Sequence, residues 1–138
     1  MSERIKDKIS EIEESLDYLL SIVPPSYEEY SSDLKTKAAC ERYFEKIIEG
    51  VIDLAFIFIK FKEIRMPEDD EAAFDVLVEK SIINLDLAKK FKEAKDMRNL
   101  IIHQYYKIDD LIVYTSITEE LENDVKMFIK AIKGNLVR

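Results

Sequence analysis

The stretch Ile47-Ile48-Glu49-Gly50-Val51-Ile52-Asp53-Leu54-Ala55-Phe56-Ile57-Phe58-Ile59-Lys60-Phe61 is apolar nearly all round, and its reading decides the fold. A helix that lacks a broad polar side is a buried one. The stretch is therefore expected to form the second half of a central helix running from about Ser32 to Arg65. The rest of the chain agrees with a helical surround. Ile5, Ile9, Ile12, Leu16, Leu19 and Val23 recur every three or four residues after Ser2, a possible cap, and Pro24-Pro25 stops the run. A polar loop follows as far as Ser31-Ser32. Beyond Pro67, the acids Glu68-Asp69-Asp70-Glu71 suit the positive end of a helix that extends to about Ser81.

Asn84 opens a further helix that ends near Tyr105 or Tyr106, with Leu87, Phe91, Ala94, Leu100 and Ile101 pointing inward. Asp109-Asp110 read as turn and cap residues. A last helix is expected from about Ser116 or Thr118 to Lys133, with the capping box Ser116-x-x-Glu119 at its start and Gly134 at its close. Only two glycines and three prolines are present in 138 residues, too few turn formers for a multi-stranded protein. Together these features predict an all-α antiparallel bundle of about five helices, forming a single domain over residues 1–138.

Composition narrows the function. No stretch has the roughly 18 apolar residues of a membrane span, and Met-Ser-Glu-Arg-Ile-Lys-Asp-Lys has no secretory apolar core, so a cytoplasmic protein with no membrane contact is expected. The single Cys40 can form neither an internal disulfide nor a thiol-rich zinc site, and it reads as core packing. A net charge of −8 argues against a protein that coats nucleic acid generally. The charge is uneven, however. From Lys89 to Lys107 six basic residues face two acidic ones, so this segment is +4 and the remainder −12. Lysine runs are usually a solvated face, but a basic segment would also draw in an anionic substrate.

The only histidine, His103, lies in that segment, within Arg98-Asn99-Leu100-Ile101-Ile102-His103-Gln104-Tyr105-Tyr106. On a helix, Asn99 and His103 share a face, and Arg98 and Tyr105 share the adjacent one. Arg98 and His103, five apart, are not neighbours on a straight helix. A site using both must bend the helix end or borrow a group from a second chain. Acid–base chemistry that makes one bond and breaks another needs a base for the nucleophile's proton and an acid for the leaving atom. One histidine cannot hold both protonation states at once, whereas a two-fold dimer supplies two histidines and two arginines. Taken alone, a lone helical histidine is more often a satisfied surface or core residue than a catalyst, and the Tyr105-Tyr106 pair more often packing with a polar tip. Asp53 within the apolar run reads as a surface acid or a buried ion pair, with Arg42 or Arg98 as candidate partners. Glu49 and Asp53 share a face, but no Glu-x-x-His pair completes a di-metal site.

Arg98, Asn99, His103 and Tyr105 together resemble the Arg-Asn-x-x-x-His-x-Tyr motif of HepT-like HEPN-domain ribonucleases, the toxins paired with MntA-type nucleotidyltransferase antitoxins. The likeness extends to the segment Cys40 to Ala55, to the acidic helix start with Phe74 and Leu77, and to Ile108-Asp109 and Val113-Tyr114. The resemblance implies a HEPN-like two-fold dimer and a metal-independent endoribonuclease toxin that needs no cofactor. It places Arg98 and His103 as catalytic, with Asn99 orienting the histidine or the phosphate. It makes Tyr105 the acceptor at which the antitoxin attaches AMP. Tyr106 and Asp53 are candidate supporting groups. The alternative is a HEPN dimer of weak or no activity that serves as a binding module for the nucleotidyltransferase.

Overall fold

The computed structural model describes residues 2–103 and 108–136, and these contain helices and no strand. Helix α1 spans Glu3–Ile22, α2 Tyr27–Ser32, α3 Leu34–Phe61, α4 Asp70–Glu79 and α5 Leu85–Ile102. The last run comprises α6 (Asp110–Thr115), a π-helical stretch (Ser116–Leu121) and α7 (Glu122–Gly134). Thr115, Ser116, Leu121 and Glu122 all keep right-handed helical angles, so this run is continuous, and the described chain has six helices rather than five.

Polar caps set most of the starts. Ser26, Asp33, Asp69, Asn84 and Asp109 each accept a backbone N–H from the first turn that follows them, which satisfies donors a helix start otherwise leaves unpaired. Ser26 and Glu29 account for α2, which replaces the expected loop. The proposed capping box at Ser116 is overturned: Asp109 starts the helix, and Ser116 lies inside it. Within the π turn, the Thr118 hydroxyl donates to the Tyr114 carbonyl at 2.9 Å, giving a partner to a backbone oxygen in a widened ladder.

Side-chain pairs fix the register of the bundle. Lys8 meets Asp53, Ile12 abuts Gly50 and Tyr18 stacks on Tyr43, so α1 and α3 run antiparallel. A β-carbon on Gly50 would stand 2.8 Å from Ile12 Cγ1, and this close approach is what calls for glycine there. Likewise Glu71 meets Lys95, Asp75 meets Lys92 and Phe74 stacks on Phe91, making α4 and α5 antiparallel. Phe74, Phe91 and Phe128 form a trio with ring centroids 5.4–6.2 Å apart that ties α4, α5 and α7 together. Tyr27, Tyr30 and Tyr114 do the same for α2 and α6.

As expected, the apolar half of α3 is the centre: Ile47, Ile48, Val51, Leu54, Ala55, Phe58 and Ile59 have no exposed surface. Cys40 is buried with them, and burial, with the charge of Glu41 behind it, pushes its thiol up to about 11, in keeping with a packing role. No helix of the described residues is long and apolar enough to cross a membrane.

Candidate functional site

The motif helix α5 is held from its first turn, where Asn84 Oδ1 accepts the Leu87 N–H at 2.8 Å. Leu87, Phe91 and Ile101 face the core as expected, but Leu100 is 36% exposed. The helix closes at Ile102, earlier than Tyr105. His103 is its C-cap, still in right-handed geometry, with its N–H on the Asn99 carbonyl. The helix end is therefore not sharply bent, and five residues put Arg98 and His103 about 140° apart around the axis. Arg98 turns toward α4, and His103 is exposed at the helix end. Tyr105 and Tyr106 lie outside the described residues.

Arg98 is set by two contacts of different kinds. Its Nη2 donates to Asn99 Oδ1 at 3.0 Å and stands 3.9 Å from Asp70 Oδ2. Its Nε is buried without a hydrogen-bond partner among the described residues. Asn99 thus spends its side-chain oxygen on the arginine, where orientation of the histidine or of a phosphate was expected. Asp70 is a neighbour of Arg98 that sequence reading missed. The acids at 68–71 were read as helix-start charges, and Asp69 is indeed the cap. The available signal was the matched spacing of Glu71 and Asp75 on α4 with Lys92 and Lys95 on α5.

That ladder changes the electrostatics. Lys92 pairs with Asp75, and Lys95 with Glu71 at 2.8 Å, a bond that raises the lysine above its usual range. Lys90 lies 3.7 Å from Asp86 and 3.6 Å from Asp124. The basic segment of the sequence is therefore largely countered by acids from α4, α5 and α7 in the folded chain. Asp53 pairs with Lys8 at 3.6 Å in the α1–α3 cleft, and its side chain is 59% exposed. The carboxylate facing Arg98 is Asp70, not Asp53.

On the far side of the undescribed residues 104–107, Asp109 caps α6 and Asp110 is fixed to Lys37 of α3 at 2.9 Å. Between α5 and the start of α6 runs a groove of about 290 Å³ lined by Met97, Leu100, Ile108, Ile112 and Val113, with Glu93, Asp96 and Asp109 on its walls. It shares Met97 and Ile112 with a larger cavity of about 540 Å³ between α5 and the last helical run. Leu100, Leu111 and Ile112 are 36–55% exposed along these two hollows, an apolar surface adjoining the motif.

Comparison with known proteins places this arrangement among others. The profile of the family described as Ribonuclease HepT-like matches residues 12–132. A Shewanella oneidensis protein named mRNA nuclease HepT is 26% identical over 90 residues, which is 65% of this chain and 67% of that relative. An Aphanizomenon flos-aquae protein named tRNA nuclease HepT is 26% identical over 134 residues, covering 96% of this chain and 90% of its own. Among solved structures, the tri-AMPylated HEPN toxin of Shewanella oneidensis in complex with its MNT antitoxin superposes with a TM-score of 0.90 at 21% identity. That match covers 98% of this chain and all of that one.

Proposed function

The chain belongs to the Ribonuclease HepT-like family, and from that premise we propose that it is the ribonuclease toxin of a toxin–antitoxin pair, cutting RNA at a composite site between two copies. The observation that carries this reading is the placement of Arg98 and His103. One is oriented by Asn99 and the other stands exposed at the helix end, next to an apolar surface suited to a second copy. Relatives named for mRNA and tRNA cleavage support RNA as the substrate.

The chemistry needs no metal, because RNA brings its own nucleophile. One His103 removes the 2′-hydroxyl proton, the 2′-oxygen attacks phosphorus, and the partner histidine of the dimer protonates the departing 5′-oxygen. Arg98 donates hydrogen bonds to the phosphorane oxygens, where negative charge increases, in the planar fork geometry that guanidinium offers. Because Arg98 and His103 of one chain face different directions, two copies meeting at the motif surface bring the two kinds of group to one phosphate.

A nucleotidyltransferase antitoxin is the proposed partner, in keeping with the MNT complex of the Shewanella toxin. Tyr105 is the proposed acceptor of AMP. A nucleotide there adds a negative phosphate and bulk beside the cleft, where RNA must lie. A second reading, a docking module with little activity, is favoured by one observation: Arg98 is already engaged by Asn99 and Asp70.

The deciding experiment is RNA cleavage by the purified protein in EDTA. Wild type should cleave, while His103→Ala and Arg98→Ala should each lose at least about a hundredfold in rate with dimerisation intact. Equal cleavage by the variants, or none by wild type, refutes the enzyme and leaves the docking module.

A further inference from the structure

The contact between Asp70 and Arg98 is long for an ion pair and lies where it bears on a ligand. At 3.9 Å it has no hydrogen bond, and the Asp70 side chain is 41% exposed. For an anion that must approach Arg98 Nη2, the same carboxylate is a like charge at contact range, beside an arginine side chain that is only 13% exposed and therefore less well screened. Arg98 itself remains short of partners. Its Nη2 has one neutral acceptor, Asn99 Oδ1, among the described residues. A guanidinium with unspent donors is one that a phosphate can satisfy.

Other groups near this point do not share the arrangement. Asp69 is committed to the Ala72 N–H as the helix cap. Glu71 is hydrogen-bonded to Lys95 at 2.8 Å. Asp96, two residues before the arginine, lies 3.9 Å from Lys95. Asp70 alone among these acids is set against Arg98 without a hydrogen bond in the described structure.

We propose that Asp70 is an intramolecular competitor for the phosphate that Arg98 binds, so that this one carboxylate sets the affinity of the motif for RNA. The inference rests on the ribonuclease reading for the identity of the ligand. Asp70 takes no part in bond making or breaking. RNA binding exchanges the Asp70 contact for a phosphate contact, and the aspartate is left to water.

The test is binding of a fully 2′-O-methylated RNA oligonucleotide, which presents phosphates but has no nucleophile and cannot be cut. Asp70→Asn keeps the shape of the side chain and leaves the Asp69 cap in place. It should bind roughly fivefold more tightly than wild type at low salt, with the gain shrinking as salt screens it. In an Arg98→Ala background the same substitution should change nothing. Glu71→Gln, an identical charge change one residue away but facing Lys95, should give a smaller gain. Unchanged or weaker binding by Asp70→Asn overturns the proposal, as does an equal gain without Arg98 or an equal gain from Glu71→Gln. Failure of wild type to cleave unmodified RNA refutes the ribonuclease reading separately, since the binding comparison is decided without cleavage.

Discussion

Asp124 is only 7% exposed, and its burial raises the carboxyl above the ordinary aspartate range while Lys90, 3.6 Å away, pulls it partly back. A carboxyl whose folded pKa is raised binds its proton more tightly in the folded than in the unfolded chain. Stability then grows as pH falls through the window between the ordinary value of 3.8 and the raised one. Relative to Asp124→Asn, the wild type should gain stability on acidification through that window and run parallel to it at neutral pH, as read by urea melts across pH. A loss over the same window would mean that the Lys90 attraction, not burial, governs the group. At this scale Arg98, Asn99 and His103 stood out through the resemblance of their spacing to the HepT-like motif, not through residue type alone. That Asn99 serves Arg98 was not legible, because a side-chain amide chooses among several partners within reach of one helix turn. Asp70 was hidden for another reason: an acid in a first turn already has a sufficient local explanation, and its partner lies 28 residues away on another helix.

Helix ends divide along similar lines. Starts at Asp33, Asp69, Asn84 and Asp109 carry short polar side chains whose capping chemistry can be read directly. The ends of α3 and α4 gave no such signal. Both close in left-handed turns at residues other than glycine, Glu63 with φ 55° and Ser81 with φ 59°. In each, paired hydrogen bonds reach back into the last turn: Ile64 to Ile59 and Glu63 to Lys60, then Ile82 to Leu77 and Ser81 to Val78. With no glycine to mark the stop, α3 was expected to reach Arg65, four residues beyond its end. Glycine adopts these angles without the β-carbon penalty, so Glu63→Gly and Ser81→Gly should each raise stability by about 0.5–1 kcal/mol in denaturant melts. A loss at both positions would show that the side chains contribute more than the backbone strain costs. The π stretch at 116–121 was illegible for a related reason. Its residues suit an α-helix, so an apparent capping box at Ser116 pointed to a start where the chain in fact continues from Asp109.

For the whole molecule, the all-helical bundle followed from one apolar stretch and the scarcity of glycine and proline, because a fully apolar helix has to be surrounded. What sequence could not supply was the charge map of the assembled surface. The +4 segment suggested a basic cleft, yet antiparallel packing sets α4 acids against α5 bases and cancels much of it. In the proposed reading, attraction of RNA therefore depends on a few groups at the motif and on what a second copy adds. The exposed apolar side chains Leu100, Leu111 and Ile112 flank that place. Two copies, each bringing one His103 and one Arg98, are the core of the account. The most direct measurement is RNA cleavage in EDTA while wild-type protein is mixed, with subunit exchange, at constant total concentration with increasing His103→Ala protein. If each site needs the His103 of both chains, only dimers of two wild-type copies cut, so an equal mixture should retain about a quarter of the activity. Activity that falls in direct proportion to the wild-type fraction, leaving half at an equal mixture, would show that one His103 suffices at each site and would contradict the two-histidine composite site.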